Sequence, residues 1–99
     1  MPHIPLQGTL GSGSTLLYTC PIGNTANVNL KFNNPSAYTI TLSRFDSILG
    51  VTTDVYTFNL AAGDFVIDNN NYFLRPSDSL TVNSSIAGTN YLITALEYL

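Results

Sequence analysis

Two aspartates stand where carboxylate chemistry would look for them: Asp64, closing Leu60-Ala61-Ala62-Gly63-Asp64, and Asp78, closing Leu74-Arg75-Pro76-Ser77-Asp78. Paired carboxylates flanking a bond are the equipment of a glycosidase. The pattern occurs twice, however, and each copy leads into a new apolar run, so a structural role explains it better. Each aspartate is expected to accept backbone N–H bonds across its turn before the next strand begins. Gly63 and Pro76 provide the backbone freedom and the preset φ that such corners require. These residues read as markers of a fold and not as catalysts.

The remaining reactive residue types are too isolated to form a site. His3 is the single histidine and has no cysteine beside it, so metal ligation and general-base work lack a second group. Serine is abundant, but no G-x-S-x-G elbow or other spaced motif assembles a triad, which rejects a hydrolase. Asp68-Asn69-Asn70-Asn71 offers oxygen ligands for calcium, yet an EF-hand counted from Asp68 finds Phe73 in place of Gly and Ser79 in place of Glu. It reads as an Asn-rich turn. Cys20 is the only cysteine, which leaves no internal disulfide and no thiolate cluster. The tyrosines suggest a sugar-stacking platform, but several fall on the apolar phase of their strands. No catalytic, metal or cofactor residue is assigned, and the chain reads as a non-enzyme.

The elements that carry these residues follow from composition and periodicity. At 99 residues the chain makes one domain, able to bury roughly 60–70% of its unfolded surface. Only 9% of residues are charged, against about 25% in an average domain, and Ser, Thr and Asn supply the polarity. A net charge of −3 with three cations excludes a nucleic-acid interface, which needs clustered Lys or Arg. No apolar run is long enough to span a membrane, and the N-terminus carries no signal core, so the mature chain is expected to begin near Met1.

Alternation is clearest where Ala26, Val28, Leu30 and Phe32 point one way and Asn27, Asn29, Lys31 and Asn33 the other, as in an antiparallel strand with one wet face. Leu16, Tyr18 and Cys20 share a face in the strand before it, and Pro21-Ile22-Gly23-Asn24 makes the intervening turn. Tyr38, Ile40 and Leu42 face inward in the strand after Asn33-Asn34-Pro35-Ser36, and Tyr56, Phe58 and Leu60 in the next. Residues 46–53 are irregular around Gly50. Phe65-Val66-Ile67 and Tyr72-Phe73-Leu74 read as short strands on either side of the Asn-rich turn. Leu80 and Val82 face inward in the strand that follows. Asn90 to Leu99 mixes helical leucine spacing with Tyr91, Ile93 and Thr94, and the regular spacing of turns decides for a strand. The fold class is all-β, an antiparallel, jelly-roll-like β-sandwich of about eight short strands over residues 14–99.

Residues 1–13 carry Pro2, Pro5, Gly8, Gly11 and Gly13, a density of breakers that weakens a strand. They read as an extended arm whose Ile4, Pro5, Leu6 and Leu10 find apolar pockets on a neighbouring subunit. Soluble monomers guard sheet edges with Lys, Pro or inward charges. With so few cations, the edges here are expected to be covered within an assembly.

Turns and strands together resemble a family. Leu17-Tyr18-Thr19-Cys20-Pro21-Ile22-Gly23-Asn24-Thr25-Ala26 is similar to the "L-Y-T-x-P-x-G-x-T-A" opening of small virion proteins of tailed bacteriophages. Pro21 and Gly23 occupy its turn, and the corners ending in Asp64 and Asp78 are similar to the "L-x-x-G-[ED]" and "L-x-P-G-D-x-L" corners. The departure is Ser77, where glycine is usual, so a different bend is expected there. The resemblance runs from about Leu16 to the C-terminus. It implies a capsid decoration (cement) protein made in the host cytoplasm and bound to the outer shell at capsomer junctions. Its partners would be the major capsid protein and its own copies as a homotrimer, with no cofactor, nucleic acid or membrane. A neck, tail or fibre module and a carbohydrate-binding sandwich are the alternatives.

Overall fold

The computed structural model describes residues 3–98, with side chains for all of these except residues 3, 4 and 65–71. Eight strands follow one another: β1 (His3–Leu10), β2 (Gly13–Thr19), β3 (Thr25–Asn33), β4 (Tyr38–Asp46), β5 (Val51–Leu60), β6 (Phe65–Leu74), β7 (Ser79–Ser84) and β8 (Thr89–Tyr98). They form two four-stranded antiparallel sheets, ordered β1-β8-β3-β6 and β2-β7-β4-β5. That interleaving of two sheets is the double Greek key of an eight-stranded jelly roll. The all-β sandwich expected from the sequence is the fold of this chain.

Period-two alternation builds the core. Ala26, Val28, Leu30 and Phe32 of β3 are buried beside Ile93 and Ala95 of β8, their neighbours in the same sheet, and this layer packs with Ile40 and Leu42 of β4 and Leu80 and Val82 of β7 from the other sheet. Burying one such aliphatic or aromatic side chain fully stabilises the fold by roughly 1.5–3 kcal/mol, so these strands, central in both sheets, carry most of the stability. Buried polar groups are matched rather than avoided. Asn34 Nδ2 donates to Thr89 Oγ1 at 2.8 Å and its Oδ1 accepts from the Ser36 amide at 2.9 Å. Tyr18 donates its hydroxyl to the buried Glu97 carboxylate.

Three turns share one geometry. Asn24 N donates to Pro21 O, Asp64 N to Ala61 O and Asp78 N to Arg75 O. The third residue of each has positive φ: 89° at Gly23, 78° at Gly63 and 68° at Ser77. A type II turn places its third residue there, so Ser77 adopts the bend a glycine would, contrary to the different bend expected of it. The doubled corner is thus one repeated turn. Asp64 opens β6 and Asp78 follows its far end, so the two carboxylates are separated by a strand on the order of 30 Å long, too far for joint chemistry.

Several local expectations are corrected. The N-terminal stretch is not a free arm: His3–Leu10 pairs antiparallel with β8 from His3↔Leu96 to Leu10↔Thr89. Leu10 is buried in this chain's own core and Leu6 packs against it. Pro5 falls on an edge strand, where a missing N–H is tolerated. Gly8 lies beneath Tyr91, whose Oη would sit 2.9 Å from an added Cβ. The side chain of Ile4 lies outside the described residues. The segment 68–71 is not a turn between two strands but part of β6, whose pairing with β3 slips between Val28↔Tyr72 and Leu30↔Asp68. A bulge absorbs the surplus residues; their side chains lie outside the described residues. In β2 a register shift between Leu16 and Tyr18 turns both Leu17 and Tyr18 inward and leaves Leu16 61% exposed.

These irregularities share a location. The edge strands are β1, β6, β2 and β5. β1 contains Pro5, β2 and β6 carry register shifts, and β5 shifts against β4 between Leu42↔Tyr56 and Ser43↔Asp54. Proline and bulges are devices that stop an edge from recruiting another strand. The edges lack cations but are blunted by geometry.

Candidate functional site

Leu74, at the end of β6, pairs with Ala26, which also pairs with Glu97 near the end of β8. Ser79, beyond the Asp78 corner, pairs with Thr19 and Phe45. The β2–β3, β4–β5 and β6–β7 connections therefore meet at one end of the sandwich, and the ion pairs among the described residues lie there.

Asp78 sits at the centre of that end, its side chain fully buried. Its Oδ2 accepts from Arg44 Nη2 at 2.6 Å and from the Arg75 amide at 2.9 Å, and its Oδ1 accepts from the Ser47 amide at 2.8 Å and Ser47 Oγ at 2.7 Å. Burial alone would raise its pKa; the two Ser47 donors, the Arg75 amide and the Arg44 charge outweigh burial and bring it down to about 2. Arg75 reaches on to Asp46, Nη2 to Oδ1 at 2.6 Å. Asp46 Oδ1 in turn accepts from the Ile48 and Leu49 amides at 2.9 and 3.1 Å. Those amides, with Arg75, hold the Asp46 carboxyl below the usual carboxylate range. Gly50, at φ 70°, closes the turn by donating to Asp46 O at 2.8 Å.

The consequence is a clamped hairpin with an apolar tip. Asp78, fixed in the β6–β7 corner, grips the β4–β5 turn at Ser47, and Asp46 grips the tip from within. What the clamp presents is hydrophobic: Ile48 is 70% exposed and Leu49 74%, with Val51 half exposed behind them. Buried ion pairs contribute little net stability against a well-packed apolar core and more to fixing one conformation. Spending two of the three cations and two aspartates here fixes a surface feature, not the core.

A second feature lies on the wet face of the other sheet, towards the opposite end. Between β3 and β8, Lys31, Phe32, Asn33, Asn90, Tyr91 and Leu92 line a shallow apolar depression of about 230 Å³. Lys31 and Leu92 are direct cross-strand partners in it. Among the described residues Lys31 is the one cation outside the ion pairs, and Asp54 of β5, bonded to Ser43 Oγ at 2.7 Å, is likewise outside them.

The sequence-expected residues fall into three groups. Pro76 and Asp78 belong to the clamp. Pro21, Gly23, Gly63 and Asp64 build turns, and the Asp64 carbonyl accepts from the Tyr38 hydroxyl at 2.7 Å. Pro5, Leu6 and Leu10 belong to β1. Ile48 and Leu49, the most exposed apolar pair in the chain's interior connections, escape sequence reasoning because residues 46–53 lack periodicity; the available signal was an apolar dipeptide between Asp46 and Gly50. Among the described residues no group of three or more His, Cys, Asp or Glu side chains comes together, and no helix is long and apolar enough to cross a membrane.

The chain is thus an eight-stranded jelly roll whose organised polar interactions position an apolar protrusion. No family model matches the chain, and no curated protein matches it. Among solved structures it is similar to a chain of the Bacillus endospore appendages, described as a family of disulfide-linked pili. That likeness covers 98% of this chain and 84% of the other, with a TM-score of 0.55 at 16% sequence identity. The expectation of a phage capsid cement protein is corrected by this finding: the solved structure that the chain matches is an appendage protein and not a phage protein. The resemblance on which that expectation rested lay in type II corners, which any jelly roll of this connectivity can use.

Proposed function

We propose that the chain is a non-enzymatic structural subunit that packs non-covalently against copies of itself in an extracellular filament or appendage. The observation that carries this is the clamped, exposed Ile48–Leu49 tip. Exposed apolar groups held rigidly beside polar surroundings mark protein contact sites, and a rigid anchor loses little entropy on docking. The full-length likeness to a pilus subunit supports the same reading.

The contact rests on side chains, since Pro5 and the bulges blunt strand addition at the edges. It also does without the chain's single cysteine. Cys20 is 1% exposed and its Sγ lies 3.2 Å from Asn24 O, to which it donates. Burial pushes its thiol pKa up, reinforced by the charges of Glu97 and Asp78. A thiol so placed is a poor partner for disulfide exchange. Sedimentation equilibrium of the full chain, with and without reductant, tests the proposal. The expected result is a weight-average mass that rises with concentration and is the same in both buffers. A single monomeric species up to millimolar concentration would overturn it.

A further inference from the structure

Resting on that reading of the chain as a self-assembling subunit, we infer that the Ile48–Leu49 tip of one copy docks into the apolar depression between β3 and β8 of the next. The receiving site fits side chains better than a free ligand. Its volume of about 230 Å³ falls below the roughly 300–1,000 Å³ of small-molecule sites, and its walls are apolar where a metabolite would need polar groups.

The occupant is a second copy, on grounds of geometry and charge. The tip lies beyond Asp46↔Val51, at the end of the sandwich where Ala26 and Leu74 also pair. The depression lies at Lys31 to Asn33, five to seven residues farther along β3, or roughly 17–23 Å at strand rise. It is also on the outer face of the opposite sheet, so a chain cannot fill its own depression. Lys31, unpaired in the free chain, rims the depression, while Asp54, also outside any ion pair, lies behind the tip on β5. Docking brings the two opposite charges towards each other and desolvates the Lys31 stem along Leu92.

Tip and depression are different patches, so the contact is heterologous. Each docked pair still has one free tip and one free depression, and a heterologous contact that does not close on itself propagates as a filament. The blunted edges fit this arrangement, since growth proceeds through the tip and not through open-ended sheet extension.

The test uses two full-length variants, a tip variant (Ile48→Ser with Leu49→Ser) and a depression variant (Leu92→Glu), followed by sedimentation velocity singly and mixed. Both changes are at exposed or half-exposed positions, and circular dichroism with thermal melting confirms the fold. Each variant alone should lose self-association by at least about tenfold, the scale of one buried aliphatic side chain. Mixed together, they should form a 1:1 heterodimer that grows no further, because only one intact tip and one intact depression remain. Independently, Lys31→Glu and Asp54→Lys should each weaken association, and the double exchange should restore it. If the wild-type chain is monomeric, the subunit reading itself fails. If the wild type associates and either variant associates equally well, or the mixture forms no heterodimer, the docking inference alone is overturned.

Discussion

Replacing Asp78 by Asn tests the clamp at its centre. The carboxylate is buried and holds four donors within 3 Å: Arg44 Nη2, the Arg75 amide, and the amide and hydroxyl of Ser47. Its pKa falls from 3.8 to about 2 on folding, a difference that stabilises the native state by about 2 kcal/mol near neutral pH. Asn removes that contribution and also turns an NH2 group towards donors it cannot accept from, at a further cost of about 1–3 kcal/mol. The expected loss is therefore about 3–5 kcal/mol. At about 4–8 °C per kcal/mol for a domain of this size, Tm should fall by at least about 12 °C. Because the native pKa is depressed, the stabilisation is present above the unfolded pKa of 3.8 and disappears as pH falls towards 2. Urea denaturation monitored by circular dichroism between pH 7 and pH 2 should show the acid loss of stability shrinking by about 2 kcal/mol in Asp78→Asn. Hydrogen exchange should quicken at the Ser47 amide, which loses its acceptor. A variant within about 0.5 kcal/mol of the wild type, with an acid limb of unchanged steepness, would refute the clamp.

The other predictions concern the turns, the N-terminal strand and the thiol. Ser77→Gly should stabilise the chain by about 1 kcal/mol, since Ser77 holds φ 68° at a cost that glycine avoids; Gly63→Ala should destabilise by a similar amount, both read from urea midpoints. Leu10→Ala should cost about 2–5 kcal/mol, because β1 belongs to this chain's core; a change below 0.5 kcal/mol would return the stretch to the status of a loose arm. Cys20 should resist Ellman's reagent in the native protein and react at once in urea, and a rapid native reaction would contradict its burial.

Much of the architecture was legible because it follows from period-two patterning and turn chemistry. β3, β4, β7 and β8 are central strands with one buried face, so Ala26 to Phe32 and Tyr38 to Leu42 alternate without interruption. The misread segments lie at edges. Pro5 and Gly8 looked like breakers, but an edge strand tolerates a missing N–H at Pro5, and Tyr91 covers the gap at Gly8. Asp68 to Asn71 looked like a turn because its composition suits a bulge equally well. Leu16 to Tyr18 broke alternation for the same reason. Of the site, the Asp78 corner could be seen but not what it holds, because Arg44 and Ser47 come from a strand and turn some thirty residues upstream and meet it only through the β4–β7 pairing. Ser77 was read from its residue type, whereas the turn's hydrogen bond imposes glycine's conformation on it. The functional expectation went astray at the step from fold to role: corners report how a jelly roll bends and say little about what it builds.

Electron microscopy of the full chain under reducing conditions distinguishes a self-assembling subunit from a monomer. Open-ended filaments that persist without disulfides are expected, with subunits of about 39 × 27 × 20 Å repeating along their length. Fields containing only separate particles no longer than that 39 Å extent, at concentrations where association is expected, would contradict it.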